Sequence, residues 1–158
     1  MQFTSLKNIL FGCVIGILVI LCGGCASEME RNFFDKEYDQ AGTRFENYSI
    51  PDQIKIYLYG TQSVVPPVTV LSRQIAEHGK AAIPYLLGVL DGGSTDRNIR
   101  DLMVVFEAMQ GMATYNVGSD AALMRKLDGY VNRMTDRIIR GYTQATLYRI
   151  KQSARDAD

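Results

Sequence analysis

Tryptophan is absent from this chain of 158 residues, histidine occurs once, as His78, and cysteine three times, as Cys13, Cys22 and Cys25. Each shortage excludes chemistry. A zinc site needs three or four thiolate, imidazole or carboxylate ligands held together, and one imidazole with cysteines crowded at one end cannot supply the usual set. A nucleophile activated by histidine has one candidate base in the whole chain. No Gly-Lys-Ser/Thr continuation follows Gly92-Gly93, so a phosphate-binding loop is not written here. Charge of one sign is missing too. Basic and acidic side chains number 17 each, which leaves no electrostatic footprint for nucleic acid. Only one long apolar run exists, Ile9 to Cys22, and it falls short of the about 20 residues that cross a bilayer.

What is present points to one folded domain with a separate leading segment. Hydrophobic residues make up 47% and charged residues 22%, proportions of a globular chain rather than a disordered one. Lys7 is the only charge before the apolar run, which ends in Gly23, Gly24 and Cys25, the layout of a signal peptide; an uncleaved membrane anchor is the lesser alternative. The residues Leu21-Cys22-Gly23-Gly24-Cys25-Ala26-Ser27 resemble the lipobox of bacterial lipoproteins, with Cys22 where that family usually has leucine. The resemblance implies lipid attachment at Cys25, cleavage after Gly24, and a further acyl chain such as palmitate on the new amino group. Cys13 and Cys22 then leave with the signal, and Cys25 has no disulfide partner. Two or three acyl chains anchor a protein stably where one does not. Ala26, rather than aspartate, after the cysteine implies the outer membrane, periplasmic face, in a source with two membranes. Loss of Lys7 leaves 16 basic against 17 acidic side chains.

The expected organisation is a signal peptide over 1–24, a tether with a first helix over 25–49, a helical domain over 50–152 and a polar tail over 153–158. Phe34, Tyr38 and Phe45 are spaced for one helical face. Residues Pro51 to Tyr59 alternate as a strand would, but no partner strand is evident, so a short helix is expected. Pro66-Pro67 sets the start of a helix carrying Val70, Leu71, Ile75 and Ala76 and ending at Gly79. The next carries Ala81, Ile83, Leu86, Leu87 and Leu90, with Pro84 in its first turn. Another follows Ser94-Thr95-Asp96 with Leu102, Val105, Phe106 and Met109 on one face. A last one is expected from Ser119 through Leu123, Leu127, Val131, Met134 and Ile138, with Gly141 bending or dividing it. The fold class is all-α, antiparallel helices around a shared core.

Within it, Gly79 to Leu87 followed by Leu90-Asp91 and then Arg97 to Met109 resembles one unit of the HEAT repeat family. That resemblance implies a small HEAT-like helical-hairpin bundle with a binding surface, and places Arg97 or Arg100 at the family's arginine position.

The residues give no catalytic, cofactor or metal assignment. His78 is expected in a last helical turn before Gly79, favoured there by the helix dipole, with general-base use beside Ser72 or Glu77 as the sharper alternative. The loop Asp91 to Asp96 offers oxygens, but turn and cap chemistry accounts for all of them. Tyr57, Tyr59, Tyr85, Tyr115, Tyr130, Tyr142 and Tyr148 either form an aromatic binding face or edge the core with hydroxyls in water. The expected function is a lipid-anchored envelope protein acting as a helical protein-interaction module and not as an enzyme. The alternatives are a small-molecule or lipid-binding lipoprotein, with a cavity near Met109 to Gly118, and an enzyme using His78.

Overall fold

The computed structural model describes residues 28–36 and 45–156. The signal segment 1–24, Cys25, Ala26 and Tyr38 lie outside the described residues. Among the described residues are seven α-helices, two short 3-10 turns and no strand. The all-α expectation holds. None of these helices is long and apolar enough to cross a membrane.

Helix α1, Glu28–Lys36, begins with Glu28 and Glu30, placing acidic side chains in its positive first turn. Phe34 and Phe45 do not share one helical face as their spacing implies. Phe45 starts a separate 3-10 turn, Phe45–Asn47, and Phe33 rather than Phe34 is the deeply buried ring of α1. Phe33 meets Phe34, Phe45 and Tyr48 edge-on at centroid distances of 5.0, 5.8 and 5.8 Å, geometry that the ring quadrupoles favour.

Helix α2, Ile50–Gln62, confirms the helical reading of Pro51 to Tyr59. Ser49 caps it, accepting from the Asp52 amide at 3.4 Å and donating to the Asp52 carboxylate at 2.7 Å, and Pro51 sits in the first turn. Its strand-like alternation has a packing origin. Phe34 of α1 lies over Gly60 on one side, while Tyr57 and Thr61 reach residues of the central helix on another, so burial does not follow a single stripe.

Helix α3 is shorter than expected, Leu71–Ala76. The prolines at 66 and 67 do not start it. Residues after Gln62 turn back instead, the Val68 N–H donates to the Gly60 carbonyl at 3.0 Å, and the Val68 side chain is buried. Gly79 ends this region with φ +52°, and a Cβ there would meet the Thr114 carbonyl oxygen at 2.6 Å. A 3-10 turn, Gly79–Ala82, leads into α4, Ile83–Asp91, with Pro84 in its first turn as expected.

Helix α5, Asp96–Gly111, is the hub. It packs most extensively on α7, Arg137–Arg155, then on α3, and it also touches α2, α4 and α6, Ala121–Arg133. Leu102, Met103, Val105, Phe106 and Met109 are all fully buried, on a broad apolar face covered by the helices around it. Each large side chain removed from water contributes about 1.5–3 kcal/mol.

The expected single helix from Ser119 through Ile138 is two helices. Residues 134–136 break it, and Ile138 is 72% exposed instead of continuing the buried stripe. The physical reason is a second cap. The Asp136 carboxylate accepts the Ile138 and Ile139 amides at 2.8 and 3.1 Å and opens a new helix there. Gly141 does not divide α7. That helix runs on through Ala154, which is buried, so no structural break marks residue 153.

Candidate functional site

A cleft of about 480 Å³ opens between α2 and the first half of α5. Tyr57, Thr61 and Gln62 come from α2, Arg97, Arg100, Asp101 and Val104 from α5, and Pro67 and Thr69 from the segment joining α2 to α3. Ile139 closes one end. Through Gln62, Arg97 and Ile139 the cleft adjoins a wider, more open depression of about 750 Å³ beside Thr95, Thr135 and Asp136.

Asp101 organises the cleft. Its residue is 4% exposed, deep enough that an unpaired carboxylate would be costly. It is fully partnered. Thr61 Oγ1 donates to Oδ2 at 3.1 Å, Gln62 Nε2 donates to the same oxygen at 2.9 Å, and Arg100 Nε donates to Oδ1 at 2.7 Å with a second guanidinium nitrogen 2.6 Å from it. Gln62 Nε2 also donates to Asn98 Oδ1 at 2.9 Å, which leaves the side chain little freedom to turn. Tyr57 donates its hydroxyl to the Asp101 backbone carbonyl at 2.9 Å; burial, then the nearby Asp101 charge, pushes the phenol well above its ordinary value. The hydroxyl stays protonated and acts as a fixed donor.

The other carboxylates near the cleft are equally committed. Asp96 Oδ2 accepts the Thr135 and Asp136 amides at 2.8 and 2.6 Å, and the Asp136 amide does most to hold the Asp96 carboxyl below its usual value. Asp136 caps α7. Arg97 differs from these groups. It is exposed, lines both the cleft and the depression, and has no carboxylate within 4 Å among the described residues. Among the charged side chains that line the cleft, Asp101 and Arg100 are paired, and the guanidinium of Arg97 is left over.

Exposed aliphatic side chains occur close in sequence to residues that line the cleft. Val65 and Val70, on either side of Pro67 and Thr69, are 92% and 61% exposed, and Ile138, next to Ile139, is 72% exposed.

His78 is placed elsewhere. It follows α3 by two residues, and its Nε2 lies 2.9 Å from Gln53 Oε1, while Gln53 Nε2 donates to the Tyr48 carbonyl at 2.9 Å. With the amide fixed by Tyr48, Oε1 accepts and the imidazole carries its proton on Nε2. The ring ties the α3 turn to the buried Gln53 of α2. Ser72, named beside it in the sequence reading, gives its hydroxyl to the Thr69 carbonyl at 2.8 Å.

The Asp91 to Asp96 loop is also used internally. Asp91 accepts the Tyr130 hydroxyl, Ser94 donates to the Val89 carbonyl, and Thr95 caps α5 by accepting the Asn98 amide at 3.2 Å. Burial, and then the bond to Asp91, pushes the Tyr130 hydroxyl up to about 12. Among the described residues no three His, Cys, Asp or Glu side chains converge as a metal site requires.

The tyrosines divide. Tyr57 and Tyr130 are buried with bonded hydroxyls, Tyr115 donates to Asp120 at 2.7 Å, Tyr85 is exposed on α4, and Tyr142 and Tyr148 are exposed six residues apart on α7. They do not make one face. In the stretch Met109 to Gly118, Thr114 Oγ1 donates to the Ala76 carbonyl at 2.7 Å and the Gly118 amide donates to Gln110 Oε1 at 2.9 Å, and an open depression of about 350 Å³ lies at Gly118, Ser119, Lys151, Ala154 and Arg155.

Sequence reasoning missed Asp101 and Gln62. The signal was present: Asp101 sits one residue before Leu102 and four before Val105, a charge at a buried phase of an apolar helix. Compared with protein-family models, with curated proteins and with solved structures, the chain has no match in any of the three.

Proposed function

We propose that this chain is a lipid-anchored protein of a bacterial envelope that works as a helical protein-interaction module. The anchoring rests on Leu21 to Cys25 and their likeness to a lipobox, with Cys25 as the acylated residue and Ala26 favouring the outer membrane, periplasmic face. The interaction role rests on one observation above all, the cleft lined by Arg97, whose guanidinium meets no acid among the described residues. The cleft walls are fixed by Asp101, and a preorganised surface loses less freedom on binding than a mobile one. The partner expected on this reading is another envelope protein.

Membrane fractionation tests the anchoring. Wild-type protein should stay in the membrane pellet after alkaline carbonate, while Cys25→Ser should lose the mass of the lipid and keep its uncleaved signal. A Cys25→Ser protein processed to the same mass as wild type contradicts the assignment.

A further inference from the structure

The geometry points to a carboxylate-recognition site in the cleft between α2 and α5: Arg97 and Arg100 take an acidic side chain of an extended partner segment, and Ile139 and Val104 take an apolar residue beside it. This rests on the interaction-module reading and names the chemistry of its partner.

Charge complementarity carries the inference. Arg97 and Arg100 stand three residues apart on α5, spacing that brings side chains onto one face of a helix. Both line the cleft. Arg100 is held by Asp101 through two nitrogens on one carboxylate oxygen, which orients its planar fork, while Arg97 meets no acid among the described residues. The acid lining the cleft is already paired. Asp101 is bonded by Thr61, Gln62 and Arg100, while Asp96 and Asp136 line the adjoining depression and each spend one carboxylate oxygen on the start of α7. A cation arriving here would find guanidinium and committed carboxylates. A carboxylate would find open donors.

The floor decides what accompanies the carboxylate. Val104 and Ile139 are half-buried at the cleft, and Pro67 forms an apolar rim. A volume of about 480 Å³ suits a few side chains of a peptide and not a folded surface. Arginine and carboxylate make two parallel bonds when geometry allows, and partial desolvation in a cleft strengthens them over an exposed pair.

The probe is an acetylated, amidated pentapeptide with one glutamate between valines, compared with its glutamine counterpart, titrated into full-length detergent-solubilised protein and followed by NMR of arginine Nε and backbone amides. The glutamate peptide should bind at least about tenfold more tightly than the glutamine one, move Arg97, Arg100 and Ile139 resonances, and weaken at high salt. Arg97→Gln, at an exposed position, should keep the wild-type melting temperature and lose about tenfold in affinity, with Arg97→Lys retaining most of it. Equal binding of the two peptides, no saturable binding, or shifts centred outside the cleft would each overturn the site. So would tighter binding of glycerophosphoglycerol than of the glutamate peptide, because that ligand represents a lipid headgroup. None of these results depends on Cys25, so failure of the lipid anchor and failure of the site are separately visible.

Discussion

Asp96, in the first turn of α5, accepts the backbone N–H groups of Thr135 at 2.8 Å and Asp136 at 2.6 Å, and so pins the break between α6 and α7 to the start of the central helix. Two helices that look continuous in sequence are separated there by two carboxylates, Asp136 capping α7 and Asp96 holding the backbone before it. The same contact sets the position of Ile139 and with it the end of the cleft.

Asp96→Ala should therefore destabilise the fold by about 1 kcal/mol, the scale of hydrogen bonds to a solvent-screened carboxylate. The Asp96 pKa is lowered in the folded chain, chiefly by the Asp136 amide. A depressed folded value means that its contribution is present above the ordinary value of 3.8 and is lost as pH falls through the lower folded one. Melting curves should show wild type more stable than Asp96→Ala at pH 7, with the gap closing as pH falls below 3.8 and through the lower folded value. A gap unchanged at the lowest pH would show that the contact does not depend on the charge.

Local signals in the chain were strong where one residue type decides the outcome. Thr95 before α5 and Gly79 after α3 could be read as cap and stop because each acts through its own backbone neighbourhood. Long-range contacts could not. Asp136 caps α7 within its own sequence, but the near-heptad spacing of Leu127, Val131 and Ile138 masked it, and the Asp96 bond that reinforces the break comes from a distant helix. The cleft was least legible, since Gln62 and Asp101 matter only once α2 lies on α5. Arg97 and Arg100 were visible only as a family's arginine position.

Two glycine substitutions should act in opposite directions. A Cβ on Gly118 would lie 2.4 Å from the Ala154 Cβ and 2.8 Å from the Ile150 carbonyl oxygen, so Gly118→Ala must push the loop off α7 at a cost of about 1–3 kcal/mol. Gly141, inside α7, has nothing within 4 Å of that position, and Gly141→Ala should stabilise by about 0.5–1 kcal/mol. Urea denaturation of both variants measures this directly. Stabilisation by Gly118→Ala would contradict the packing of the loop on the last helix.

His78 is a structural group on this account. Its removal leaves Gln53 Oε1 without its partner, so His78→Ala should cost about 1 kcal/mol. Peptide affinity in the cleft should not change, because the ring bonds to Gln53 and does not line that cleft. A variant with undiminished stability that nevertheless fails in cells would return His78 to consideration as a chemical group.

Site-specific photocrosslinking in intact cells tests the interaction module most directly. A photoreactive residue is placed at Val65, two residues before the cleft-lining Pro67, or at Arg125 on α6, each exposed and with wild-type melting behaviour as a condition. A discrete, reproducible adduct with one envelope protein is predicted from Val65, absent from Arg125, and lost when Arg97→Glu is introduced into the Val65 probe. No adduct from Val65, or one that persists unchanged with Arg97→Glu, would contradict an interaction made through this cleft.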